Sequence, residues 1–178
     1  MVVVMAGLPG TGKSAIARDV ARALPAVILD KDSVRAALFP PDLIEYATPQ
    51  DDFCMGIMVQ VAEYILRKAP TRAVIIDGRT FSRRYQLDAV AELATSLGQR
   101  LAIIECVCSD ATARRRLEQD VAQGLHVAGN RNFALYLAIK ARFELIERPK
   151  LVVDTDQSLS ESVSATMAYL KHIFAEGA

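Results

Sequence analysis

Short apolar runs alternate along this sequence with longer segments in which apolar residues recur at helical spacing. Each short run is rich in Val, Ile or Leu and is followed within two residues by Asp, Gly or Ser. The runs are Val2–Ala6, Val27–Leu29, Ala73–Ile76, Leu101–Val107 and Leu151–Val153. Continuous apolar runs are typical of parallel strands that are covered on both faces. The alternation therefore predicts an α/β protein with a parallel sheet.

The segments between these runs carry residues that start and stop helices. Thr48, Pro49 and Asp51 suit an N-cap, a first-turn proline and a capping-box acid, so we expect a helix from there to about Lys68. The expected buried stripe of this helix is Phe53, Ile57, Val61 and Ile65. Comparable signals predict helices from Ser82 to about Gly98, from Ser109 or Asp110 to about Gly124, from about Asn132 to Glu147, and from Ser158 onward. Right-handed crossovers between parallel strands would place the strand-to-helix loops at one edge of the sheet.

The composition of the chain argues against several classes of protein. Lys plus Arg and Asp plus Glu each count 21 in 178 residues, so the formal net charge is zero and no overall basic field attracts nucleic acid or an anionic membrane. The length and the apolar content of 52% fit a single domain over residues 1–178. No apolar run approaches the roughly 18 residues of a membrane span, and the start MVVVMAG does not suit a signal peptide. We expect a cytoplasmic monomer or weak dimer, with no membrane partner and with its three cysteines reduced.

The sequence GLPGTGKS, at residues 7–14, follows the first predicted strand directly and leads into a predicted helix. Its glycines let successive backbone amides turn toward one point, where the helix dipole also favours an anion. Lys13 can reach the outer phosphates of a nucleoside triphosphate, and the Ser14 hydroxyl can ligate Mg²⁺. The expected nucleotide-binding residues of this loop are Gly7, Leu8, Pro9, Gly10, Thr11, Gly12, Lys13, Ser14 and Ala15.

Asp77 closes the apolar run AVIID. P-loop proteins place the carboxylate that holds magnesium at the end of a neighbouring buried strand, so we expect Asp77 to bind Mg²⁺ together with Ser14. The alternative is an ordinary acid at a turn or a helix start.

The stretch LDKDSVR, at residues 29–35, leaves the second predicted strand at the same sheet edge. Asp32 is placed to accept the proton of an attacking hydroxyl, and Arg35, three residues later, would face the same way and bind an anionic acceptor or the transferring phosphoryl group. Asp30 suits a strand-end acid better than the base. The alternative is a solvated turn with a weak ion pair.

Further arginines lie near this edge. The segment ARRRLEQD opens a helix, and only one of its arginines can reach a given ligand, because consecutive residues point to different faces. The Gly- and Asn-rich stretch after it predicts a mobile lid, at about residues 111–132, that carries Arg131 over the phosphates. Arg79, Arg83 and Arg84 follow Asp77, and the sequence leaves open whether they select an acceptor or decorate a helix start.

Together, GLPGTGKS, AVIIDG, KDSVR and ECVCSDATARRRLEQD resemble small P-loop kinases of the "predicted kinase" group. That group is related to zeta toxins, chloramphenicol phosphotransferase and the kinase domain of polynucleotide kinases. The resemblance implies a three-layer P-loop NTPase fold, with a five-stranded parallel sheet in the order 2-3-1-4-5, helices on both faces, and ATP as the phosphoryl donor.

The resemblance also implies residue roles. It gives the base role to Asp32, the binding of an acceptor phosphate to Arg35 and a lid or adenine-stacking role to Arg116. The loop at Thr155 and Asp156 would border the adenine. Relatives often carry a second lid arginine four residues after the first, where this sequence has Asp120, and Arg131 is the candidate substitute.

The function expected from these residues is transfer of the γ-phosphoryl group of ATP to a hydroxyl of a small molecule, with Mg²⁺ as cofactor. Transfer to the 5′-hydroxyl of a nucleic acid is the first alternative, although a neutral chain without an aromatic and basic tract favours a smaller acceptor. The second alternative is a nucleotide-binding regulatory module without acceptor chemistry.

Overall fold

The computed structural model describes residues 1–123 and 132–175. Within these residues five strands form one sheet: β1 (Val2–Ala6), β2 (Ala26–Asp30), β3 (Ala73–Asp77), β4 (Leu101–Val107) and β5 (Leu151–Asp154). The same residues form seven α-helices: α1 (Lys13–Ala23), α2 (Lys31–Leu38), α3 (Thr48–Lys68), α4 (Arg84–Ser96), α5 (Asp110–Gln123), α6 (Phe133–Lys140) and α7 (Leu159–Ala175). A short 3₁₀ helix covers Pro41–Leu43.

The sheet is parallel and runs in the order β2-β3-β1-β4-β5. The central strand is β1, in which Val3 lies opposite Ile75 of β3 and Ala102 of β4. This confirms the predicted α/β class and the strand order.

Helices cover both faces of the sheet because the β1 side chains are apolar in both directions. Val2, Val4 and Ala6 belong to a buried cluster with residues of α3 and α4, whereas Val3 and Met5 belong to a second cluster with residues of α1 and α7. Burying one such side chain contributes about 1.5–3 kcal/mol. The predicted three-layer arrangement is confirmed.

This topology brings the carboxyl ends of the strands to one edge. Asp30 and Asp77, each the last residue of its strand, lie opposite each other in the β2–β3 pairing. Thr155 follows β5, and its backbone amide donates to the carbonyl of Val107 at the end of β4. The edge therefore collects polar residues that are far apart in the sequence.

The predicted buried stripe of α3 is wrong by one position. Phe53 is 56% exposed and Val61 is 40% exposed. The residues of this helix that pack into the core are instead Cys54, Met55, Met58, Ala62 and Leu66. Two adjacent stripes of α3 are apolar, and the one with the smaller and more flexible side chains packs against the sheet.

The helix expected from about Asn132 to Glu147 ends at Lys140. Beyond it the chain turns onto the start of α4. The Glu144 amide donates to the Ser82 carbonyl at 3.0 Å, and the Glu144 carboxylate accepts from the Arg84 amide at 2.8 Å. These tertiary bonds replace the next helical turn.

Two predicted helix caps also differ. The N-cap of α3 is Ala47, with Thr48 as the first helical residue, and the N-cap of α4 is Arg83 where we expected Ser82. Each observed N-cap lies one residue away from its predicted position.

No helix in the described ranges is long and apolar enough to cross a membrane. Cys54, Cys106 and Cys108 are free cysteines in this structure, and burial raises the pKa of Cys106 to about 12. This thiol is therefore neutral at physiological pH.

Candidate active site

The glycine-rich loop between β1 and α1 depends on backbone angles that side chains rarely allow. Gly7, Gly10 and Gly12 have φ angles of 129°, 78° and 79°. Gly12 is also the N-cap of α1, in the left-handed region. The loop therefore turns its backbone at three points before the helix begins, as a phosphate cradle requires.

Replacing Gly7 with alanine is expected to lower the free energy of unfolding by at least about 1–3 kcal/mol, the usual cost of a backbone outlier. The added Cβ would also collide with the carbonyl of Cys106. Urea denaturation of Gly7→Ala measures the loss. Gly56→Ala is the control, because its Cβ would meet no atom, and a Gly7 variant as stable as this control would contradict the prediction.

Lys13 lies inside the cradle. Its ammonium donates to the carbonyls of Gly7 and Leu8, each at 2.8 Å, and the residue is only 5% exposed. A buried ammonium at the start of α1 adds a full positive charge to the partial charge of the helix dipole. The loop is therefore electrostatically prepared for phosphate.

A cavity of about 680 Å³ opens on the outer side of the loop. It brings together Gly10, Gly12, Lys13, Ser14 and Ala15 of the motif with the predicted site residues Asp32, Asp77, Arg116 and Thr155. We call it the nucleotide cavity. Gly7, Leu8 and Thr11 line a separate cavity of about 270 Å³ behind the loop, so their predicted nucleotide contacts would be made through the backbone.

Arg116 joins the loop to the strand end beside it. Its guanidinium donates to the Thr155 carbonyl at 2.7 Å, to the Thr155 hydroxyl at 3.0 Å and to the Gly10 carbonyl at 3.3 Å. The Thr155 hydroxyl is 3.0 Å from the carbonyl of Thr11. Arg116 therefore positions the phosphate loop in this structure, and its lid or adenine-stacking role stays a prediction.

The residues expected to bind Mg²⁺ fit that ion. Ser14 and Asp77 both line the nucleotide cavity, and the buried Oδ1 of Asp77 has no hydrogen-bond partner among the described residues. No group of three or more His, Cys, Asp or Glu side chains in those residues could hold a metal. Mg²⁺ suits such a site, since it binds through few protein ligands, waters and substrate phosphates.

The charged residues after β2 form a connected network instead of a solvated turn. Asp32 accepts from Arg35 at 2.6 Å and lies 3.5 Å from the Lys31 ammonium. Asp51 of α3 accepts from the same two cations, from Lys31 at 2.7 Å and also from Arg35. Lys31 and Asp32 are each 8% exposed, and Arg35 is 2% exposed. The prediction that Asp51 serves as a capping-box acid is wrong, because its carboxylate pairs with these cations.

Asp30 has a local role. Its carboxylate caps α2 by accepting from the Ser33 amide at 2.8 Å. This agrees with the interpretation of Asp30 as a strand-end acid and leaves Asp32 as the candidate base.

A second cavity, of about 510 Å³, lies on the other side of Asp32. We call it the acceptor cavity. Its wall shares Lys13, Ser14, Asp30 and Asp32 with the nucleotide cavity. The remaining wall comes from Pro9 of the loop, α2, Tyr46 with α3, the segment after β3 with the start of α4, and α6 with its following turn. Asp32 is therefore at the junction of two cavities.

The structure adds two residues that the sequence did not assign to the site. Asp51 and Glu144 line the acceptor cavity. Arg79, whose role the sequence left open, lines it as well and pairs with Asp52 at 2.5 Å. No local pattern marks Asp51 or Glu144, because their partners lie 16 and 61 residues away. Arg131 and most of the segment between α5 and α6 lie outside the described residues, so the lid prediction is untested.

A phosphate-binding loop between the first strand and first helix of a sheet in this order defines a P-loop kinase fold. A family model described as an AAA domain matches residues 2–146. The chain belongs to this family. Among curated proteins, none matches the sequence.

Solved structures show the same fold. A gluconokinase from Sinorhizobium meliloti is 19% identical, with a TM-score of 0.70 over 97% of this chain and 91% of that one. An APS kinase from Mycobacterium tuberculosis, solved with AMPPNP and APS, is 18% identical, with a TM-score of 0.70 over 96% of both chains. Kti12 from Chaetomium thermophilum, solved with ADP-AlF3, is 14% identical, with a TM-score of 0.71 over the full length of both chains. These likenesses establish a P-loop kinase-like fold.

Proposed function

We propose that this protein is an ATP-dependent phosphotransferase that moves the γ-phosphoryl group of ATP to a hydroxyl of a small molecule. The observation that carries the proposal is the shared wall of the two cavities, in which Lys13 and Asp32 face both sides. A donor on one side and an alcohol on the other would meet at these residues.

On the donor side, the backbone amides of the loop and the ammonium of Lys13 bind the phosphates. The nucleotide cavity contains four carboxylates, from Asp30, Asp32, Asp77 and Asp120, against the three cations Lys13, Arg18 and Arg116. Three positive side chains among four negative ones do not neutralise the negative charge of a bound triphosphate. Mg²⁺, held by Ser14 and Asp77, would supply the missing positive charge at the phosphate oxygens.

On the acceptor side, Asp32 accepts the proton of the attacking hydroxyl as the alcohol oxygen bonds to the γ-phosphorus. The bond from that phosphorus to the β,γ-bridging oxygen breaks, and ADP leaves. Arg35 positions Asp32 through the 2.6 Å ion pair. Alignment of the two substrates can supply about 7–11 kcal/mol, and a general base contributes about 10²- to 10⁴-fold more.

A small acceptor suits this site better than a nucleic-acid end. The cavity of about 510 Å³ has the size of a small-molecule pocket, typically about 300–1,000 Å³. The chain has no net charge to attract a polyanion. The names of the gluconokinase and the APS kinase support a small acceptor as well.

A screen of small hydroxyl compounds with ATP and Mg²⁺ tests the proposal, with ADP release as the readout. At least one compound is expected to raise ADP release about tenfold or more over the rate in water, because an aligned alcohol replaces a disordered water. Phosphorus NMR should show the new phosphate ester. Binding of ATP without stimulation by any compound, including a DNA 5′-hydroxyl end, would instead indicate a nucleotide-binding regulatory module.

A further inference from the structure

We infer that the acceptor is itself anionic, a small molecule that carries a carboxylate or a phosphate monoester besides its reacting hydroxyl, and that Arg79, Arg83 and Arg142 bind this anion. The inference rests on the proposed function and adds the chemical class of the acceptor. It is carried by the charges that line the acceptor cavity.

The part of the acceptor cavity that is not shared with the nucleotide cavity has an excess of positive charge. Its cations are Lys31, Arg35, Arg79, Arg83 and Arg142, and its anions are Asp51 and Glu144. Five positive charges against two negative charges leave an excess of three, and the excess is two when the shared Lys13, Asp30 and Asp32 are counted as well. Because the chain as a whole is neutral, this excess is a local property of the cavity.

The two buried cations that follow β2 do not provide the excess of positive charge. Lys31 and Arg35 are paired with Asp32 and Asp51. Both terminal nitrogens of Arg35 are occupied by these carboxylates, and the residue is 2% exposed. Arg35 is therefore already compensated, and the anion of an acceptor would be bound elsewhere in the cavity.

The other three cations of the cavity, Arg79, Arg83 and Arg142, are only partly compensated by carboxylates. Arg142 makes no side-chain ion pair or hydrogen bond within residues 1–123 and 132–175. Arg83 gives one guanidinium nitrogen to Glu144 at 2.8 Å, and 41% of its side chain is exposed. Arg79 is 5% exposed and pairs with Asp52, which is exposed and does not line the cavity. Inside the cavity, the one ion pair that these three guanidinium groups make among the described residues is that of Arg83 with Glu144.

Glu144 is an ionised partner in this group. Hydrogen bonds from the Arg84 amide and the Arg83 guanidinium hold its pKa below the usual range. Glu144 therefore matches Arg83 inside the cavity and Asp52 matches Arg79 from outside it. The remaining guanidinium nitrogens of Arg83 and the guanidinium of Arg142 are left for a ligand. Guanidinium groups bind carboxylates and phosphates through paired, charge-assisted hydrogen bonds, which neutral alcohols cannot reproduce.

Matched acceptor series test the inference on the full-length protein with ATP and Mg²⁺. One series is glycerol, glycerate and glycerol 3-phosphate, and the other is glucitol, gluconate and glucitol 6-phosphate. Each contains a neutral alcohol, a carboxylate and a phosphate ester on a comparable carbon chain. The readouts are ADP release and, with a non-hydrolysable ATP analogue, the dissociation constant by calorimetry.

In at least one series we expect an anionic member to bind about tenfold or more tightly than its neutral partner. The carboxylate and phosphate arms identify which anion the site prefers. Arg83→Gln and Arg142→Gln are expected to remove most of that preference. The matched controls are Arg84→Gln and Arg148→Gln, which change neighbouring exposed arginines that do not line the acceptor cavity.

Each outcome has a definite meaning. Equal or tighter binding of the neutral members, an anion preference that survives both arginine changes, or no binding of any anionic member overturns the inference. If a neutral compound is phosphorylated while no anion binds, the proposed function stands and the inference fails. If anions bind through Arg83 and Arg142 but no hydroxyl compound is phosphorylated, the anion site stands and the proposed function fails.

Discussion

Replacing Lys13 with alanine is expected to lower ATP turnover by at least about 10²- to 10³-fold, the loss typical of removing one group that stabilises transition-state charge. Lys13 is the cation that lies inside the phosphate loop and lines both cavities. Arg116, a second cation of the nucleotide cavity, is not positioned to replace it, because its guanidinium is held by Thr155 and Gly10. The affinity for ATP, measured by calorimetry, should fall as well.

The matched control is Lys31→Ala. Lys31 is also a buried cation, but it lines only the acceptor cavity. ATP affinity is therefore expected to be unchanged in this variant. A Lys13→Ala protein that keeps wild-type ATP affinity and turnover would mean that the loop does not hold a triphosphate as proposed.

Replacing Asp32 with asparagine is expected to leave ATP binding at least as tight as in the wild type and to lower phosphoryl transfer by ~10²- to 10⁴-fold. Asparagine has the same shape and can still accept from Arg35, but it cannot take up a proton. Loss of a negative charge beside the phosphates does not weaken their binding. Single-turnover transfer and equilibrium ATP binding, measured on the same protein, separate the two effects.

Asp30→Asn is the control for this change. Asp30 lies two residues away and lines both cavities, yet it caps α2, and asparagine caps helices about as well as aspartate. This variant removes the same charge without removing the base, so its transfer rate should stay within about tenfold of the wild type. Equal losses in both variants would show that charge alone matters and that Asp32 has no special role.

Most of the fold could be predicted from short-range sequence patterns. The strands were predictable because continuous apolar runs report burial on both faces, and the site edge followed from the handedness of parallel crossovers. The order of the strands came from the family resemblance, since no local pattern determines which strands become neighbours.

Tertiary contacts explain where the predictions failed. In α3 two adjacent stripes are apolar, and periodicity alone does not decide which faces the sheet, so Phe53 and Val61 were assigned to the core. Asp51 has the sequence position of a capping acid, but two buried cations compete for its carboxylate. A charge-assisted pair is stronger than a cap to a backbone amide, so the distant partners prevail.

The acceptor side of the site was the least predictable part. Asp32 and Arg35 could be identified from the sequence because both lie in α2, a short helix that begins directly after β2. Arg83 and Arg142 are 59 positions apart in the sequence, and they line one cavity only because the turn after α6 packs on the start of α4. The excess charge that they create has no counterpart in the overall composition.

The central claim is that Asp32 faces the γ-phosphoryl group across the wall shared by the two cavities. A crystal structure with ADP, Mg²⁺ and aluminium fluoride tests it most directly, through the distance from the Asp32 carboxylate to the oxygen that occupies the in-line position. The account predicts a hydrogen-bond distance of about 2.6–3.2 Å, or contact through a single water. An Asp32 side chain directed away from that oxygen, beyond the reach of one bridging water, would contradict the account.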